Sequence, residues 1–549
     1  MAIFASLLKK ASGIKEPTDD AAKPTPSIPK RTRCASMRRR REAKRGSYAT
    51  KLDTPLLHLS DQDCIDLRTA CSGTAIFGGV GSGKTSGSGR NFAKAFLKNG
   101  MGGLVLCAKT TETQTWLQYA RETGREKDVI VISPDSPYRF DFLRYEIGRN
   151  ADPSVAVENI LTIMMNVMAD DNPGSADGGD HKVWHEAARN LLRNLLLLAV
   201  ASIPNCTIAD LRKLVARSPH KRNVLEDADF WEREFGKLLQ IAEQTYKDNG
   251  RIADFEAMSF YWLYDFPSLP EKTRGSITFR LSNLLQYLQT GTLRELFCSG
   301  ITNVFPEDTH EGAIILIDLP VISNEANRMG QVLFKICWQY AALRRKVTKH
   351  TRPIFFWSDE NHLFITPSDC DVQSLAREYR VCSVVLSQNL SSYIQRFSGN
   401  ASEASAKAYV AYFQTVILHS QPDTATNEFA QSLFGKTIKL RENSSNNRSK
   451  SSGWNEGDNV GSTSNPESNS FHYTTNFSDA RGYNETDSFS SSRGYQESLE
   501  EVLQFGDLTS LKTGSPTNNY LVGAYIFHTG RRWKATGHNC LYTEFDQRA

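Results

Sequence analysis

The sequence lacks the long apolar runs of a membrane-spanning protein. No stretch approaches the roughly 18 consecutive apolar residues that a transmembrane helix needs. The longest apolar run, residues 191–200, is interrupted by Arg193 and Asn194, which is typical of a buried amphipathic helix. The first eight residues are too short and wrongly flanked for a secretory signal. We therefore expect a cytosolic protein, or one held peripherally at a membrane by its partners.

Paired cysteines are also absent. The 10 cysteines are scattered singly along the chain, and no C-x-x-C spacing occurs among them. This pattern excludes the common zinc-ligand spacings and a disulfide framework. We therefore expect reduced, mostly buried cysteines rather than a metal site or a cross-linked scaffold.

A net positive charge is confined to the first 50 residues. That segment holds 13 lysines and arginines against 4 acids, whereas the whole chain has a net charge of +4. The rest of the chain therefore carries a net charge of −5 and does not look like a nucleic-acid-binding protein. Residues 1–50 are predicted to be a disordered arm. Its arginines at 38–41 favour contact with nucleic-acid phosphates or acidic lipids, and the alternative is a solvated tail without a specific partner.

Short apolar segments alternate with helical stretches over most of the chain. Unbroken apolar strands between helices predict a mostly parallel central sheet that is covered on both faces, so the fold class is α/β. The predicted strands are 74–77, 103–107, 129–132, 313–317, 354–357, 382–386 and 415–418, with a final pair at 522–527 and 533–536.

The chain is too long for one ordinary core, so we expect more than one domain. Residues 51–150 and 311–442 carry the predicted strands and form one α/β domain. The interval 151–310 has helical periodicity without a convincing strand and is predicted to be an inserted all-α domain. Residues 443–496 are dominated by serine, asparagine and glycine and are predicted to be a disordered insertion. Residues 497–549 are predicted to complete the α/β domain with strands.

A complete phosphate-binding loop follows the first predicted strand of the parallel sheet. It matches the pattern G-x-x-x-x-G-K-[ST] at every fixed position with Gly78, Gly79, Val80, Gly81, Ser82, Gly83, Lys84 and Thr85. Its glycines let backbone N–H groups surround phosphate oxygens, and the helix that follows adds positive potential. We expect Lys84 to reach the β- and γ-phosphates of ATP and Thr85 to bind Mg²⁺. The alternative is a glycine-rich turn without a ligand.

Two apolar strands end in an aspartate, at Asp318 and at Asp359. Hydrolysis needs one carboxylate in the metal shell and a second that orients and deprotonates water. We favour Asp359 as the magnesium ligand because Glu360 follows it directly and is the candidate general base. Asp318 stands alone before Pro320, which is typical of a structural strand end.

Two further residues are candidates for catalysis. Gln388 follows the strand 382–386, where a polar residue faces the same crevice as the loop. It is predicted to sense the γ-phosphate or hold the attacking water, and the alternative is an amide that caps the next helix. Arg377 is the candidate arginine finger, supplied across a subunit boundary, and the alternative is a surface salt bridge with Glu378 or another acid. Arg274 is a second candidate for the finger.

The order of these motifs resembles that of the type IV secretion coupling proteins, the TraG/TraD family, which belong to the FtsK–HerA branch of RecA-like P-loop ATPases. The resemblance lies in the loop, in Asp359 and Glu360 as a Walker B pair, and in the helix and strand that follow and end in Ser387 and Gln388. It extends over roughly residues 70–545. Further matching stretches are 181–184, 271–276 and, where the family has its TraM-recognition segment, 421–435.

The resemblance implies an ATPase that assembles as a homo-hexamer on an inner membrane. It also implies that this ATPase engages DNA, a relaxase–DNA complex or a protein substrate and passes it to a secretion channel. It implies that Lys84 and Thr85 bind ATP and Mg²⁺, that Asp359 and Glu360 form Walker B, and that Gln388 is a sensor. Arg377 lies 18 residues after Asp359, a place suited to a finger that acts on a neighbouring subunit.

The chain departs from this family in three respects, one of which is the length of the insertion 443–496. Family members usually begin with transmembrane helices, and we predict none here. We therefore expect the protein in the bacterial cytoplasm, with any attachment to the inner membrane provided by a membrane-anchoring partner or by the basic arm. The second strand of the family usually ends in Asp-Pro-Lys, whereas this chain has Cys107, Ala108 and Lys109 and so lacks the acid.

We predict an ATP-hydrolysing, DNA-stimulated coupling protein that recruits and moves DNA or nucleoprotein in conjugative plasmid transfer or type IV secretion. One alternative is a soluble FtsK/HerA-like DNA translocase outside secretion, which the missing transmembrane region favours. Another alternative is a substrate-recognition scaffold whose assembly is gated by nucleotide. The complete set of Lys84, Thr85, Asp359 and Glu360 argues against the scaffold.

Overall fold

The structure is a computed structural model that describes residues 48–150, 152–168, 179–220, 227–321, 324–397, 401–455 and 482–548. The chain divides into two compact units, of which the first comprises residues 1–430 and 505–549 and the second residues 431–504. Most of the predicted basic arm, residues 1–47, lies outside the described residues.

The strands of the described chain are short, except for one pair. They are β1 (Pro55–His58), β2 (Cys64–Asp66), β3 (Thr74–Phe77), β4 (Gly102–Cys107), β5 (Val129–Ile132), β6 (Ile314–Asp318), β7 (Ile354–Ser358), β8 (Val381–Ser387), β9 (Thr415–Leu418), β10 (Lys436–Asn455), β11 (Gly482–Glu501), β12 (Leu521–His528) and β13 (Cys540–Asp546).

A nine-stranded sheet runs through the first unit in the order β13-β12-β9-β3-β8-β7-β4-β6-β5. Every neighbouring pair from β9 to β5 is parallel, whereas β12 pairs antiparallel with both β9 and β13. Strands β3, β4 and β7 are buried along their whole length. The predicted α/β class with a mostly parallel sheet is therefore confirmed.

Helices cover the sheet and fill the interval between β5 and β6, where the described residues contain no strand. In the described chain no helix is both long enough and apolar enough to span a bilayer. The helices are α1 (Leu67–Ala70), α2 (Arg90–Lys98), α3 (Thr110–Glu122), α4 (Phe142–Arg149), α5 (Pro153–Met168), α6 (Gly179–Ser202), α7 (Ile208–Ala216), α8 (Ala228–Glu232), α9 (Glu234–Asp248), α10 (Ile252–Phe260), α11 (Phe266–Ser268), α12 (Glu271–Leu288), α13 (Gly291–Phe297), α14 (Glu325–Leu343), α15 (Asp369–Ala376), α16 (Leu390–Arg396), α17 (Ser402–Ala411), α18 (Thr424–Phe434) and α19 (Phe505–Thr509).

Aromatic rings join one layer of helices to the centre of the sheet. The ring of Phe355 on β7 stacks on Phe96 of α2 and on Trp116 of α3, with centroids 5.6 Å apart in both pairs. Trp116 also meets Trp357 edge to face. Such contacts bury large apolar surfaces and fix α2 and α3 on the sheet. The sheet edge at which β3 and β7 end is thereby held rigidly.

The predicted C-terminal strand pair is correct in its first strand and wrong in its second. β12 covers the predicted segment 522–527, but its partner is β13 and not residues 533–536. Trp533 is fully buried, and its backbone N–H donates to the carbonyl of His538 at 2.8 Å. The buried indole therefore anchors a tight connection, and the chain re-enters the sheet only afterwards.

The second unit contains a long antiparallel ribbon, in which β10 and β11 pair from Lys436 with Glu501 to Asn455 with Gly482. The segment 443–496 is predicted to be disordered, yet its described residues, up to 455 and from 482, lie in this ribbon. In this two-stranded ribbon, alternate residues of each strand pair their backbone groups with the partner strand. Across the strands, Arg448 pairs with Asp487 and Lys450 with Glu485, both at 2.7 Å.

Candidate active site

The loop at residues 78–85 leaves the end of β3 and leads through a turn of π-helix, Thr85–Gly89, into α2. Its backbone is anchored on the neighbouring strands, since the N–H of Gly79 donates to the carbonyl of Ser420 at 2.9 Å. Gly83 has a φ of +83°, and a Cβ there would lie 2.7 Å from a methyl group of Val522. Only glycine combines this conformation with so close an approach of β12.

The loop meets Asp359, the first residue after β7. The hydroxyl of Thr85 donates to Asp359 Oδ2 at 2.9 Å, although the two residues are 274 positions apart. The other oxygen of Asp359 accepts the backbone N–H of Glu360 at 2.9 Å. Asp359 is buried. The two residues predicted to bind magnesium thus lie in direct contact.

Glu360 lies next to the lysine of the loop. Its Oε1 is 3.9 Å from Lys84 Nζ and 3.5 Å from Lys109 Nζ. Its Oε2 is buried and makes no hydrogen bond to any described residue, although His362 Nδ1 lies 3.8 Å away. Burial lowers the pKa of His362, so that imidazole is neutral near pH 7 and does not neutralise the carboxylate.

Gln388 reaches the same carboxylate from β8. Its side-chain amide donates to Glu360 Oε1 at 3.1 Å. The carbonyl of Gln388 in turn accepts the side-chain amide of the buried Gln421 at 2.6 Å. The alternative prediction was that the amide of Gln388 caps the next helix. In the structure the side chain of Asn389 caps that helix, α16.

Asp318 does not contact the loop. It ends β6, and three strands, β4, β7 and β8, lie between β6 and β3. Its Oδ1 is buried without a hydrogen-bond partner among the described residues, and burial raises the pKa of the carboxyl. The structure therefore brings Asp359 to the loop and leaves Asp318 aside.

Arg377 lies far from the loop of its own chain. It follows the last turn of α15 and precedes β8, which places it at the sheet edge opposite the loop. Its side chain is exposed and forms no ion pair with a described residue, so the predicted alternative with Glu378 is absent. Arg274 instead donates to the carbonyls of Pro267 and Leu269, where it stabilises the end of α11.

Two residues that sequence reasoning missed lie beside this site. Glu112, one turn into α3, accepts the backbone N–H of Ala108 at 2.9 Å. Burial, assisted by the charge of Asp359, raises its pKa to about 8. The sequence does hold a signal for Glu112. This acid lies close to the end of β4, where the chain lacks the aspartate that is usual in the TraG/TraD family.

His419 follows β9 and is completely buried. Its Nδ1 lies 2.9 Å from the carbonyl of Gly523, and its Nε2 lies 2.7 Å from the hydroxyl of Ser88. Because a carbonyl can only accept, Nδ1 carries the proton and Ser88 donates to Nε2. Burial lowers the pKa of His419 to about 4. The neutral ring links the turn after the loop to β12, and nothing in the local sequence indicates this.

No protein-family model matches the sequence, and no curated protein matches it in sequence. Among solved structures, the chain is similar to the bacterial conjugative coupling protein TrwB in an unbound form. That match has 14% identity and a TM-score of 0.57, and it covers 91% of this chain and 90% of TrwB. The structure of TrwB with ADP and Mg²⁺ also matches, with 14% identity, a TM-score of 0.54 and coverage of 91% and 92%. The chain therefore has the fold of a conjugative coupling protein, which confirms the predicted resemblance at the level of the fold.

Proposed function

We propose that this chain is an ATP-hydrolysing coupling protein that recruits and moves DNA or a nucleoprotein substrate in conjugative transfer or type IV secretion. The observation that carries the proposal is the contact between Thr85 and Asp359 at 2.9 Å, with Glu360 adjacent. It joins the phosphate-binding loop to a pair of acids, which is the arrangement that nucleotide hydrolysis requires. The fold shared with TrwB supports the same function.

The residues around this contact fit a magnesium ion. Magnesium takes oxygen ligands and usually binds through one or two protein oxygens together with substrate phosphates. The hydroxyl of Thr85 and the carboxylate of Asp359 supply such oxygens. Ser82 Oγ in the loop is buried and has no hydrogen-bond partner among the described residues, which leaves a polar atom for a ligand. When bound, the ion neutralises negative charge on the phosphates of ATP.

Glu360 is proposed as the general base. Gln388 and the two nearby lysines hold Oε1, so the unbonded Oε2 is the atom that accepts a proton from the attacking water. Gln388, already bonded to this carboxylate, is placed to orient the water and to sense the γ-phosphate. Lys84, a residue of the loop, has its Nζ 3.9 Å from Glu360 Oε1 and is proposed to contact the β- and γ-phosphates. Each role follows from contacts within one crevice at the ends of β3, β7 and β8.

Arg377 is proposed to act on the nucleotide of a neighbouring subunit in a homo-hexamer. Its exposed side chain is at the sheet edge opposite the loop, so it has no route to the loop of its own chain. A mixing experiment tests this role. Arg377→Ala and Lys84→Ala are each expected to lose turnover, whereas a mixture regains part of it, because Lys84→Ala subunits supply the arginine. A mixture as inactive as its components would contradict a finger that acts between subunits.

The domain division and the partners remain part of the proposal. We propose residues 151–310 as an all-α domain inserted into a RecA-like domain, and the basic arm within residues 1–50 as the DNA or acidic-lipid contact. Deleting residues 30–45 is expected to weaken DNA binding and to flatten its dependence on salt, because fewer counterions are released. An unchanged salt slope would remove this role from the arm.

Steady-state ATP hydrolysis tests the proposed function as a whole. The wild-type chain is expected to hydrolyse ATP in the presence of Mg²⁺, faster with single- or double-stranded DNA, while a parallel mass measurement reports the assembly. Lys84→Ala is expected to lose both nucleotide binding and turnover. A wild-type protein that binds ATP without hydrolysing it would favour the nucleotide-gated scaffold instead.

A further inference from the structure

The backbone of Glu360 adopts a conformation that is unusual for a side chain of its size. Its φ is 49° and its ψ is 45°, which is the left-handed helical region. Residues other than glycine occupy this region at a cost, and they persist there only when the surrounding structure holds them. The next residue, Asn361, begins a turn of 3-10 helix, Asn361–Leu363.

Two tyrosine hydroxyls converge on the side chain of Asn361. Tyr393 donates to Asn361 Oδ1 at 3.0 Å, and Tyr409 donates to the same oxygen at 2.9 Å. Asn361, Tyr393 and Tyr409 are all nearly inaccessible to solvent. Burial raises the pKa of both tyrosines well above the usual value, so the two hydroxyls keep their protons and remain donors.

The two tyrosines lie on the two helices that follow Gln388 in the chain. Tyr393 lies on α16, which begins two residues after Gln388, and Tyr409 lies on α17. The ring of Tyr393 packs edge to face on Phe77, the last residue before the phosphate-binding loop, with centroids 6.1 Å apart. The two tyrosine rings are 5.5 Å apart. One helix pair thus contacts the loop strand, the Gln388 turn and the Glu360 turn together.

We propose that Asn361, Tyr393 and Tyr409 form a clamp that positions Glu360 for water activation and so sets the hydrolysis rate. This inference rests on the function proposed above. The three residues do not touch the substrate; they act through the Glu360 turn, whose left-handed backbone they hold. The hydroxyls fix Asn361, and Asn361 fixes the direction in which the preceding carboxylate leaves the chain.

Removal of the two hydroxyls leaves Asn361 Oδ1 buried without a partner, and a buried polar group without a partner is costly. The turn is then free to relax towards ordinary backbone angles, which moves the carboxylate of Glu360 away from Gln388. Displacement of a catalytic group by about 1 Å lowers rates by up to about 100-fold. Nucleotide binding depends instead on residues 78–85 and is expected to remain.

The test is the double variant Tyr393→Phe/Tyr409→Phe, assayed for ATP turnover, for the KM of ATP and for thermal unfolding. We expect kcat to fall about 10- to 100-fold while the KM stays within about twofold. The matched control is Tyr145→Phe. Tyr145 is also buried and donates to Glu307 Oε1 at 3.0 Å, but it lies on α4. This control is expected to keep the wild-type kcat even where its midpoint of unfolding falls.

Each outcome decides a separate question. If the wild-type protein hydrolyses ATP and the double variant matches its kcat, the clamp is refuted and the proposed function stands. If kcat falls in Tyr145→Phe as much as in the double variant, the loss reflects general stability and the clamp is again refuted. If the wild-type protein has no ATP turnover, the proposed function fails and the clamp fails with it.

Discussion

Strands β6 and β7 have similar ends but contribute differently to the candidate site. Each is an apolar strand that runs into an aspartate at the same edge of the parallel sheet, at Asp318 and Asp359. Only Asp359 contacts the phosphate-binding loop. The difference lies in the sheet order, because β8 alone separates β7 from β3, whereas β6 is two strands farther away. Neighbouring strands are about 4.8 Å apart, so Asp318 is displaced by about 10 Å more.

The two aspartates also differ in their surroundings. Asp359 accepts two hydrogen bonds, from Thr85 and from the backbone of Glu360. Asp318 has an oxygen that is buried without a partner among the described residues, and burial raises its pKa. The comparison teaches that a strand-end acid becomes a candidate ligand through its place in the sheet and not through its local pattern.

The largest effect on ATP turnover is expected when an acid at the end of β7 is removed, in comparison with removal of the acid at the end of β6. Glu360→Gln is expected to lower kcat by about 10²- to 10⁴-fold, the usual contribution of a general base. Its affinity for a non-hydrolysable ATP analogue stays, because the loop is untouched. Asp318→Asn is the matched control and is expected to keep kcat within about twofold. Similar losses in both variants would break the comparison, and so would wild-type turnover in Glu360→Gln.

A smaller effect is expected in the magnesium requirement. Asp359→Asn weakens the charge that faces the ion beside Thr85, so the Mg²⁺ concentration for half-maximal ATP hydrolysis is expected to rise about 10-fold or more. Asp318→Asn is expected to leave that concentration unchanged. A titration of Mg²⁺ at saturating ATP measures both. If the two variants required the same concentration, the metal would not be held at β7.

The smallest expected effect concerns β4, the strand between the two aspartates. Burial raises the pKa of Glu112 to about 8, above its value in the unfolded chain. The folded state therefore loses stability as pH rises from about 4.5 towards 8, because the carboxyl ionises freely in the unfolded chain but burial keeps it protonated in the folded one. Glu112→Gln is expected to raise the thermal midpoint at pH 8 by about 2–4 °C and to leave it unchanged near pH 4.

The opposite end of the same helix supplies the control. A hydrogen bond from Lys94 lowers the pKa of Glu122, so this carboxylate stabilises the folded state at neutral pH, and the stabilisation is lost as the solution is acidified. Glu122→Gln is therefore expected to lower the midpoint slightly near pH 7. Equal midpoint shifts for Glu112→Gln at pH 4 and pH 8 would contradict the burial of an unfavourable charge.

Much of the site could be predicted because it follows short-range rules. The loop, the strand before it and the acids after β7 are contiguous patterns, and parallel strands place their ends at one edge. For the same reason Glu360 and Gln388 could be expected near Lys84, and the structure places them in contact with or next to one another.

The remainder depended on contacts between distant segments. His419 links Ser88 to Gly523 and belongs to no recognisable pattern. Gln421 opens the recognised stretch 421–435, but nothing in that stretch indicates its hydrogen bond to the carbonyl of Gln388. The β10–β11 ribbon was missed because its composition resembles disordered chain, and the pairing of β10 with β11 follows no local pattern. The position of β13 was misjudged because the apolar Trp533 anchors a connection and not a strand.

The most direct test of the account is an experimental structure of the chain with Mg²⁺ and a non-hydrolysable ATP analogue. We expect the phosphates to be surrounded by residues 78–85 and the ion to lie beside Thr85 and Asp359. We expect the carboxylate of Glu360 to face the terminal phosphate. An ion held by Asp318, or a terminal phosphate remote from Glu360, would contradict it.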